Sequence, residues 1–320
     1  MVGIDSPRSV RRPHVGAPRP GRLIARPRLT GLLRGRFDHR VTSITAPAGA
    51  GKTTSLRLAM QANAVDPFGV DVFYAVSGHD RDPSHLLGGV ADALGSTPGG
   101  SPDDTVAAIA DAVWSAAPRD VVIMLDDAHL LDGSDSVAWL GTVLQALPSN
   151  GHLLLSSRTP PEIALARLLA HGQVLELASS DLGLDDDELA ELISLRLEAS
   201  TASSADLANL PRLAGVADLR LRAGPGADAQ FLWEEVLGSL DEHRRTVLQR
   251  AAVLQLIDDE LVEALSAGTL SAADLVAGLP LVEAGEDGTY RMHPILQAAL
   301  RERTSRHELV ETGDWWRRSS

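Results

Sequence analysis

One short run in the sequence combines the residue types that bind phosphate groups. Residues 46–54 read Ala-Pro-Ala-Gly-Ala-Gly-Lys-Thr-Thr, which follows the pattern Gly-x-x-x-x-Gly-Lys-(Ser/Thr) with alanine in place of the first glycine. Glycines in such a loop let successive backbone N–H groups point inward, and the following helix directs its positive N-terminal end at the same anion. The predicted phosphate-binding residues are Ala48, Gly49, Ala50, Gly51, Lys52, Thr53 and Thr54.

Lys52 is the only lysine among the 29 lysine and arginine residues of the chain. A general bias toward arginine explains why lysine is absent elsewhere, but it does not explain why one lysine remains in this loop. A compact ammonium group fits between phosphate oxygens, whereas a planar guanidinium group is wider and more rigid. The loop therefore predicts that Lys52 contacts the β- and γ-phosphates of a nucleotide. The alternative is a glycine-rich turn that ends in Lys-Thr by chance.

Two adjacent acids, Asp126 and Asp127, end an unbroken apolar run at residues 121–125. Doubly wound sheets bind ligands at the carboxyl ends of their strands. Asp126 is therefore expected to hold Mg²⁺ opposite the Thr53 hydroxyl, which is a second magnesium ligand. Asp127 is expected to orient or polarise the attacking water, since phosphoryl transfer depends mainly on positioning and electrostatics.

Arg158 ends the next apolar run, so its guanidinium group is expected to reach the γ-phosphate. His129 comes soon after the two acids, but it is not assigned to the site because histidines in turns are more often structural than catalytic. The predicted catalytic residues are Lys52, Asp126, Asp127 and Arg158.

Alternating strand and helix patterns place these residues in an α/β domain. Strands are predicted at residues 41–45, 70–76, 121–125 and 153–158. Helices are predicted at 55–60, with a start near Thr53, and at 83–94, 104–114 and 136–147. Parallel strands that are buried on both faces have continuous apolar runs of this kind. The predicted fold is a doubly wound, parallel-sheet P-loop NTPase domain over residues 21–180.

The pattern becomes helical after residue 180. We predict a helical subdomain at 181–224 and a winged-helix-like domain at 225–305, in which short helices precede a two-stranded wing. A helical bundle capped by a hairpin is the alternative. Residues 1–20 are expected to form a disordered Arg/Pro-rich leader, with a DNA-binding arm as the alternative. Residues 306–320 are expected to begin a further helical region.

The composition excludes several kinds of function. The net charge is −14 although residues 1–40 carry ten arginines, and such an acidic body argues against a large nucleic-acid surface. The absence of cysteine excludes disulfides, thiol nucleophiles and thiolate metal sites. No apolar run is long enough for a membrane helix or resembles a signal peptide. The protein is therefore expected to be cytoplasmic, with no membrane partner.

The motifs also narrow the choice of nucleotide. A guanine-binding Asn/Thr-Lys-x-Asp motif is excluded, because the single lysine lies in the phosphate loop. An ABC-transporter signature is absent, and Asp-Asp-Ala-His at 126–129 lacks the later motifs of a helicase. ATP is therefore the expected nucleotide.

The ordered set of motifs resembles the STAND ATPases, in particular the MalT-like module of large LuxR-type transcriptional regulators. The resemblance covers about residues 20–305, and it is the order of the motifs that makes it specific. The segments that carry it are 23–29, 46–54, 125–129, 156–158, 213–219 and 290–294.

This resemblance implies a switch that binds ATP or ADP with Mg²⁺ and changes between a closed monomer and an open, self-associating form when an unknown inducer binds. It also implies that Arg26 lines the adenine side and that His293 contacts the β-phosphate of ADP. Val216 stands where the family often has tryptophan. The chain is then either an N-terminal fragment or a short member, and DNA would be bound only through regions beyond it.

Three functions remain open from the sequence. The first is a slow regulatory ATPase. The second is a structural or interaction module that binds nucleotide without turnover. The third is a P-loop small-molecule kinase, against which stands the lack of an Arg-rich lid near the loop.

Overall fold

We describe the fold from a computed structural model of the chain. The structure describes residues 23–197, 210–223, 226–252, 254, 256–285 and 287–302. The predicted leader at 1–20 and the predicted further helical region at 306–320 lie outside the described residues. The chain divides into two compact units, residues 1–46 with 51–182, and residues 47–50 with 183–320. None of the described helices has the length and apolar character needed to cross a membrane.

The first unit is built on a sheet of five parallel strands in the order β2-β3-β4-β1-β5. The strands are β1 (Val41–Thr45), β2 (Gly69–Ala75), β3 (Asp120–Asp126), β4 (Gly151–Ser157) and β5 (Val174–Ala178). The helices are α1 (Pro27–Arg34), α2 (Lys52–Val65), α3 (Pro83–Ala93), α4 (Pro102–Trp114), α5 (Asp135–Ala146), α6 (Ala166–Ala170) and α7 (Ser179–Leu182). This architecture confirms the predicted α/β fold class.

The inner strands of this sheet owe their position to their apolar sequences. All residues of β4 and all but the first of β3 are buried, as expected for parallel strands covered on both faces. The edge strand β5 was not predicted separately, because Glu176 interrupts its apolar run and most of its residues are incompletely buried. Helix α4 begins two residues earlier than predicted, since the Ser101 hydroxyl accepts the Asp104 N–H and caps its first turn.

The second unit consists of helices and a small antiparallel sheet in the order β6-β8-β7. Its helices are α8 (Asp186–Leu197), α9 (Ala214–Ala223), α10 (Ala227–Glu235), α11 (Glu242–Ala251), α12 (Asp259–Ser266), α13 (Ala272–Val276) and α14 (Pro294–Glu302). Its strands are β6 (Leu256–Ile257), β7 (Val282–Ala284) and β8 (Tyr290–Met292). The predicted wing corresponds to β7 and β8. The sheet gains a third strand, β6, which at two residues is too short to give an alternating pattern.

The core of the second unit joins the helices to this sheet. Leu232, Leu248, Ile257 and Leu296 are fully buried in one apolar cluster. The Trp233 indole nitrogen donates a hydrogen bond of 2.8 Å to the Ala299 carbonyl, so the polar atom of this buried aromatic residue has a partner.

Candidate nucleotide-binding site

The loop after β1 has the backbone conformation expected of a phosphate-binding loop. Gly49 and Gly51 have φ angles of 79° and 85°, a region that favours glycine because it has no Cβ. Helix α2 begins at Lys52, one residue before the predicted start, and no side chain of the residues that the structure describes caps its first N–H groups. The N-terminal end of α2 is therefore available to an anion, as the sequence predicts.

Lys52 lies in a buried position at the start of α2. Its side chain is 7% exposed, and Nζ donates a hydrogen bond of 2.6 Å to the Ala46 carbonyl. Burial lowers the pKa of Lys52 to about 8, and the positive charge of Arg158 acts in the same direction, while Asp127 and Asp126 oppose it. A buried cation that is only partly compensated by acids gains from a nearby anion such as a phosphate group.

Asp126 occupies the carboxyl end of β3, where two hydroxyl groups hold its carboxylate. The Thr53 hydroxyl donates to Oδ2 and the Ser156 hydroxyl to Oδ1, both at 2.6 Å. Burial raises the pKa of Asp126, and the two hydroxyl hydrogen bonds oppose that change. Ser156 was not predicted as a site residue, although a serine at the end of an apolar strand is a detectable signal.

The arrangement of Thr53 and Asp126 fits a magnesium ion bound to a nucleotide. A hydroxyl and a carboxylate in contact provide the oxygen ligands that Mg²⁺ prefers, and a nucleotide supplies the remaining charge. When bound, such an ion neutralises charge on the β- and γ-phosphates. Both predicted magnesium ligands are thus brought together by the fold.

Asp127, His129 and Arg158 surround the same end of the sheet. Asp127 has φ 59° and ψ 39°, a left-handed conformation that is uncommon outside glycine, and it begins a 3-10 turn at Ala128–Leu131. His129 Nδ1 lies 4.0 Å from Asp127 Oδ1. Burial, followed by the positive charges of Arg158 and Lys52, lowers the pKa of His129 to about 4, so the ring is neutral near pH 7. The structure therefore places His129, which the sequence left unassigned, beside the predicted catalytic residues.

Two further predicted site residues, one in each unit, are described with their own units. Arg26 is buried just before α1, and its carbonyl accepts the Thr30 N–H at 2.9 Å. His293 lies in the second unit before α14, where its Nδ1 accepts the Ile295 N–H at 3.3 Å. Burial lowers the pKa of His293. These contacts leave the nucleotide contacts of both residues as predictions.

The remaining loop residues divide between the two units. Ala48 is buried in the apolar cluster of the second unit. Within that unit the Gly49 carbonyl accepts the Gly215 N–H at 2.9 Å. A Cβ on Gly49 would lie only 2.7 Å from Val216 Cγ2, so both the conformation and the space at this position require glycine. Thr54 lies in the first turn of α2, after the predicted magnesium ligand.

The fold and the site define a P-loop nucleotide-binding domain followed by a winged helix domain. Comparison with known families gives the same order, with an AAA domain matched at residues 35–157 and a MalT winged helix domain at residues 233–312. Among curated proteins, the chain is similar to relatives at 25–26% identity.

Two of these relatives are the HTH-type transcriptional regulators MalT of Klebsiella pneumoniae and Cronobacter sakazakii. Each is 25% identical, over 92% and 89% of this chain respectively. The chain spans only 37% and 36% of their lengths. Among solved structures, a Walker-type ATPase of Pyrococcus abyssi superposes with a TM-score of 0.55 at 12% identity, covering 87% of this chain and 95% of the other. At that identity the likeness shows the fold alone.

Proposed function

We propose that this chain is the nucleotide-binding switch of a MalT-like transcriptional regulator and works as a slow STAND-type ATPase. One observation carries the proposal. The fold brings the buried ammonium group of Lys52, the hydroxyl of Thr53 and the carboxylate of Asp126 to one end of the sheet, beside the uncapped start of α2. That set of groups matches the triphosphate of ATP and its magnesium ion.

Each residue has a separate task in this proposal. The N–H groups of the loop and Lys52 hold the β- and γ-phosphates, while Thr53 and Asp126 hold Mg²⁺. Asp127 orients the attacking water, and Arg158 contacts the γ-phosphate. The water oxygen bonds to the γ-phosphorus as the bond to the β,γ-bridging oxygen breaks. That oxygen leaves with ADP, and one water proton passes to the Asp127 carboxylate and then to solvent.

The regulatory part of the proposal rests on the relatives and on the resemblance of the motifs. ADP would favour a closed monomer, with Arg26 on the adenine side and His293 on the β-phosphate, and ATP with an inducer would favour self-association. The winged helix carries exposed acids, which repel DNA phosphates, so DNA binding is assigned to other parts of the regulator. These acids are Glu234, Glu235, Asp241, Asp259 and Glu260.

Turnover of ATP by the purified chain tests the enzymatic part. We expect slow hydrolysis in the wild type and a loss of about 100-fold in Asp127→Ala, with ATP affinity kept within about threefold, because Asp127 acts on the water and not on the nucleotide. Asp103→Ala, which removes an exposed acid from α4, is the matched control. Nucleotide binding without measurable turnover in the wild type would instead support a binding module, and phosphate transfer to an added acceptor would support a kinase.

Light scattering tests the switch itself. The chain should be monomeric with ADP and should associate with a non-hydrolysable ATP analogue, at least in the presence of inducer or in a longer form of the regulator. If the same mass is found for both nucleotides under all these conditions, the switch is refuted and the nucleotide has only a structural role.

A further inference from the structure

The turn after Asp126 carries a histidine with a buried nitrogen that has no hydrogen-bond partner among the described residues. The separation of 4.0 Å between His129 Nδ1 and Asp127 Oδ1 is too long for a direct hydrogen bond. Among the described residues no other group pairs with this nitrogen either. Unpaired buried polar atoms are rare in proteins and call for an explanation, which is often a role at a functional site.

Hydrogen bonds hold the turn that carries His129 from two sides. The Arg81 guanidinium group donates to the carbonyls of Leu130 at 3.2 Å and Asp132 at 2.9 Å. From the other side the Thr159 hydroxyl donates to Asp132 Oδ2 at 2.9 Å. Thr159 directly follows the predicted γ-phosphate contact, which ties this turn to the end of β4.

The Asp127 carboxylate, in contrast, has no partner within the described part of the chain that would fix its direction. Its side chain is 47% exposed, and no hydrogen bond from the described residues reaches the carboxylate. A neutral imidazole beside a carboxylate favours the tautomer that carries its proton on the nearer nitrogen, since the other tautomer would bring two lone pairs together. His129 Nδ1–H is therefore suited to donate to Asp127 after a movement of about 1 Å.

We propose that His129 is a positioning residue for hydrolysis, whose Nδ1–H binds the Asp127 carboxylate in the nucleotide-loaded protein and aims it at the attacking water. This inference rests on the proposed ATPase function. It assigns to His129 an effect on turnover that passes through Asp127, and no contact with the nucleotide.

Three substitutions separate this role from a structural one. His129→Asn keeps an N–H donor close to the position of Nδ1, His129→Gln moves the donor toward the position of Nε2, and His129→Leu removes it. We expect kcat to fall about 10- to 100-fold in the Gln and Leu variants, the size of effect that a small misplacement of a catalytic group produces. His129→Asn should stay within about fivefold of wild type.

Measurements on the same variants without turnover complete the test. The affinity for a fluorescent ADP analogue and the KM for ATP should change less than about threefold, because His129 does not hold the nucleotide. The melting temperature of the nucleotide-free chain should not fall, since no described residue is hydrogen-bonded to Nδ1. His171→Leu, at an exposed histidine of the same unit, is the matched control.

A double-mutant cycle decides whether the effect passes through Asp127. In an Asp127→Ala background, His129→Leu should cause no further loss of kcat. The inference is overturned if His129→Leu turns over at the wild-type rate, if His129→Asn is as impaired as His129→Leu, or if the losses of kcat in the two backgrounds add. A wild type with no more turnover than Asp127→Ala overturns both this inference and the proposed hydrolysis, whereas hydrolysis that depends on Asp127 but not on His129 overturns this inference alone.

Discussion

Replacing Lys52 by methionine should separate nucleotide affinity from the stability of the fold. Methionine has a similar length and no charge, so it keeps the packing at the start of α2 and removes the ammonium group. In the complex a charge-assisted contact to phosphate is lost, which costs about 2–3 kcal/mol. The dissociation constant for ATP should therefore rise about 30- to 150-fold.

The same substitution should have only a small effect on the nucleotide-free protein. The pKa of Lys52 falls from 10.5 to about 8, and at about 1.4 kcal/mol per pKa unit this corresponds to a cost of about 3 kcal/mol for holding the charge in the fold. Because the folded pKa is the lower one, this cost is fully present at pH 7 and is relieved as the pH rises from about 8 toward 10.5. In the opposite direction, the Ala46 carbonyl loses a donor, which costs about 1–3 kcal/mol.

These two effects on the free fold nearly cancel, so the free energy of unfolding should change by less than about 2 kcal/mol. Calorimetric titration with ATP gives the affinity, and urea denaturation at pH 7 without nucleotide gives the stability. Arg57→Met, on the exposed face of the same helix, removes one positive charge and should leave both unchanged. If Lys52→Met binds ATP within threefold of the wild-type affinity, the assignment of this loop as a phosphate-binding loop is refuted. If Lys52→Met and Arg57→Met lose affinity equally, Lys52 acts only through the overall charge of the protein and not through a direct contact.

Three further predictions follow from individual contacts. Asp126→Asn should make ATP affinity insensitive to Mg²⁺, whereas the wild type should lose about tenfold on chelation, as seen by fluorescent-nucleotide titration; an unchanged magnesium response would contradict the metal site. Asp80→Asn should lower the free energy of unfolding by about 1–3 kcal/mol at pH 7. Burial raises the pKa of Asp80, but hydrogen bonds from Tyr74, Ser77 and His85 outweigh this effect and leave the pKa lowered. The loss of stability in Asp80→Asn, measured by urea denaturation, should therefore become smaller as the pH falls below about 4. A loss that grows with falling pH would contradict this explanation. Gly49→Ala should lower the melting temperature, because alanine at this positive φ costs about 1–2 kcal/mol and its Cβ would collide with Val216. Adding Val216→Ala should recover part of the lost stability. If it does not, the steric explanation is wrong.

Strand and helix boundaries were predictable where a short stretch of sequence determines them. The strand β1 was predicted at its observed bounds, since a β-branched run stops where the glycine loop begins. Helix α3 was predicted to begin at residue 83, as observed, where the Asp82 carboxylate caps it by accepting the Ser84 N–H. The strand β5 was missed because Glu176 interrupts its apolar run, and β6 was missed because two residues are too few to show a pattern.

The parts of the site that were missed depend on the order of strands, which a single sequence does not reveal. Ser156 looked like one of two serines at the end of an apolar run, and only the pairing of β3 with β4 brings its hydroxyl to Asp126. His129 looked like a turn histidine, because its loss of solvent and its exposure to the charges of Lys52 and Arg158 arise from three separate segments.

The strand order also explains how Arg158 can lie between the phosphate loop and the two acids Asp126 and Asp127. In the sheet, β4 lies between β1, which leads into the phosphate loop, and β3, which ends at the two acids. Arg158 follows β4 directly, so it is flanked by the Lys52 side and by the Asp127 side. Its charge affects the pKa of both Lys52 and His129, one on each side. A γ-phosphate bound there would offset the repulsion between Arg158 and Lys52, and its release would restore that repulsion, which gives the proposed switch a physical basis in the first unit alone.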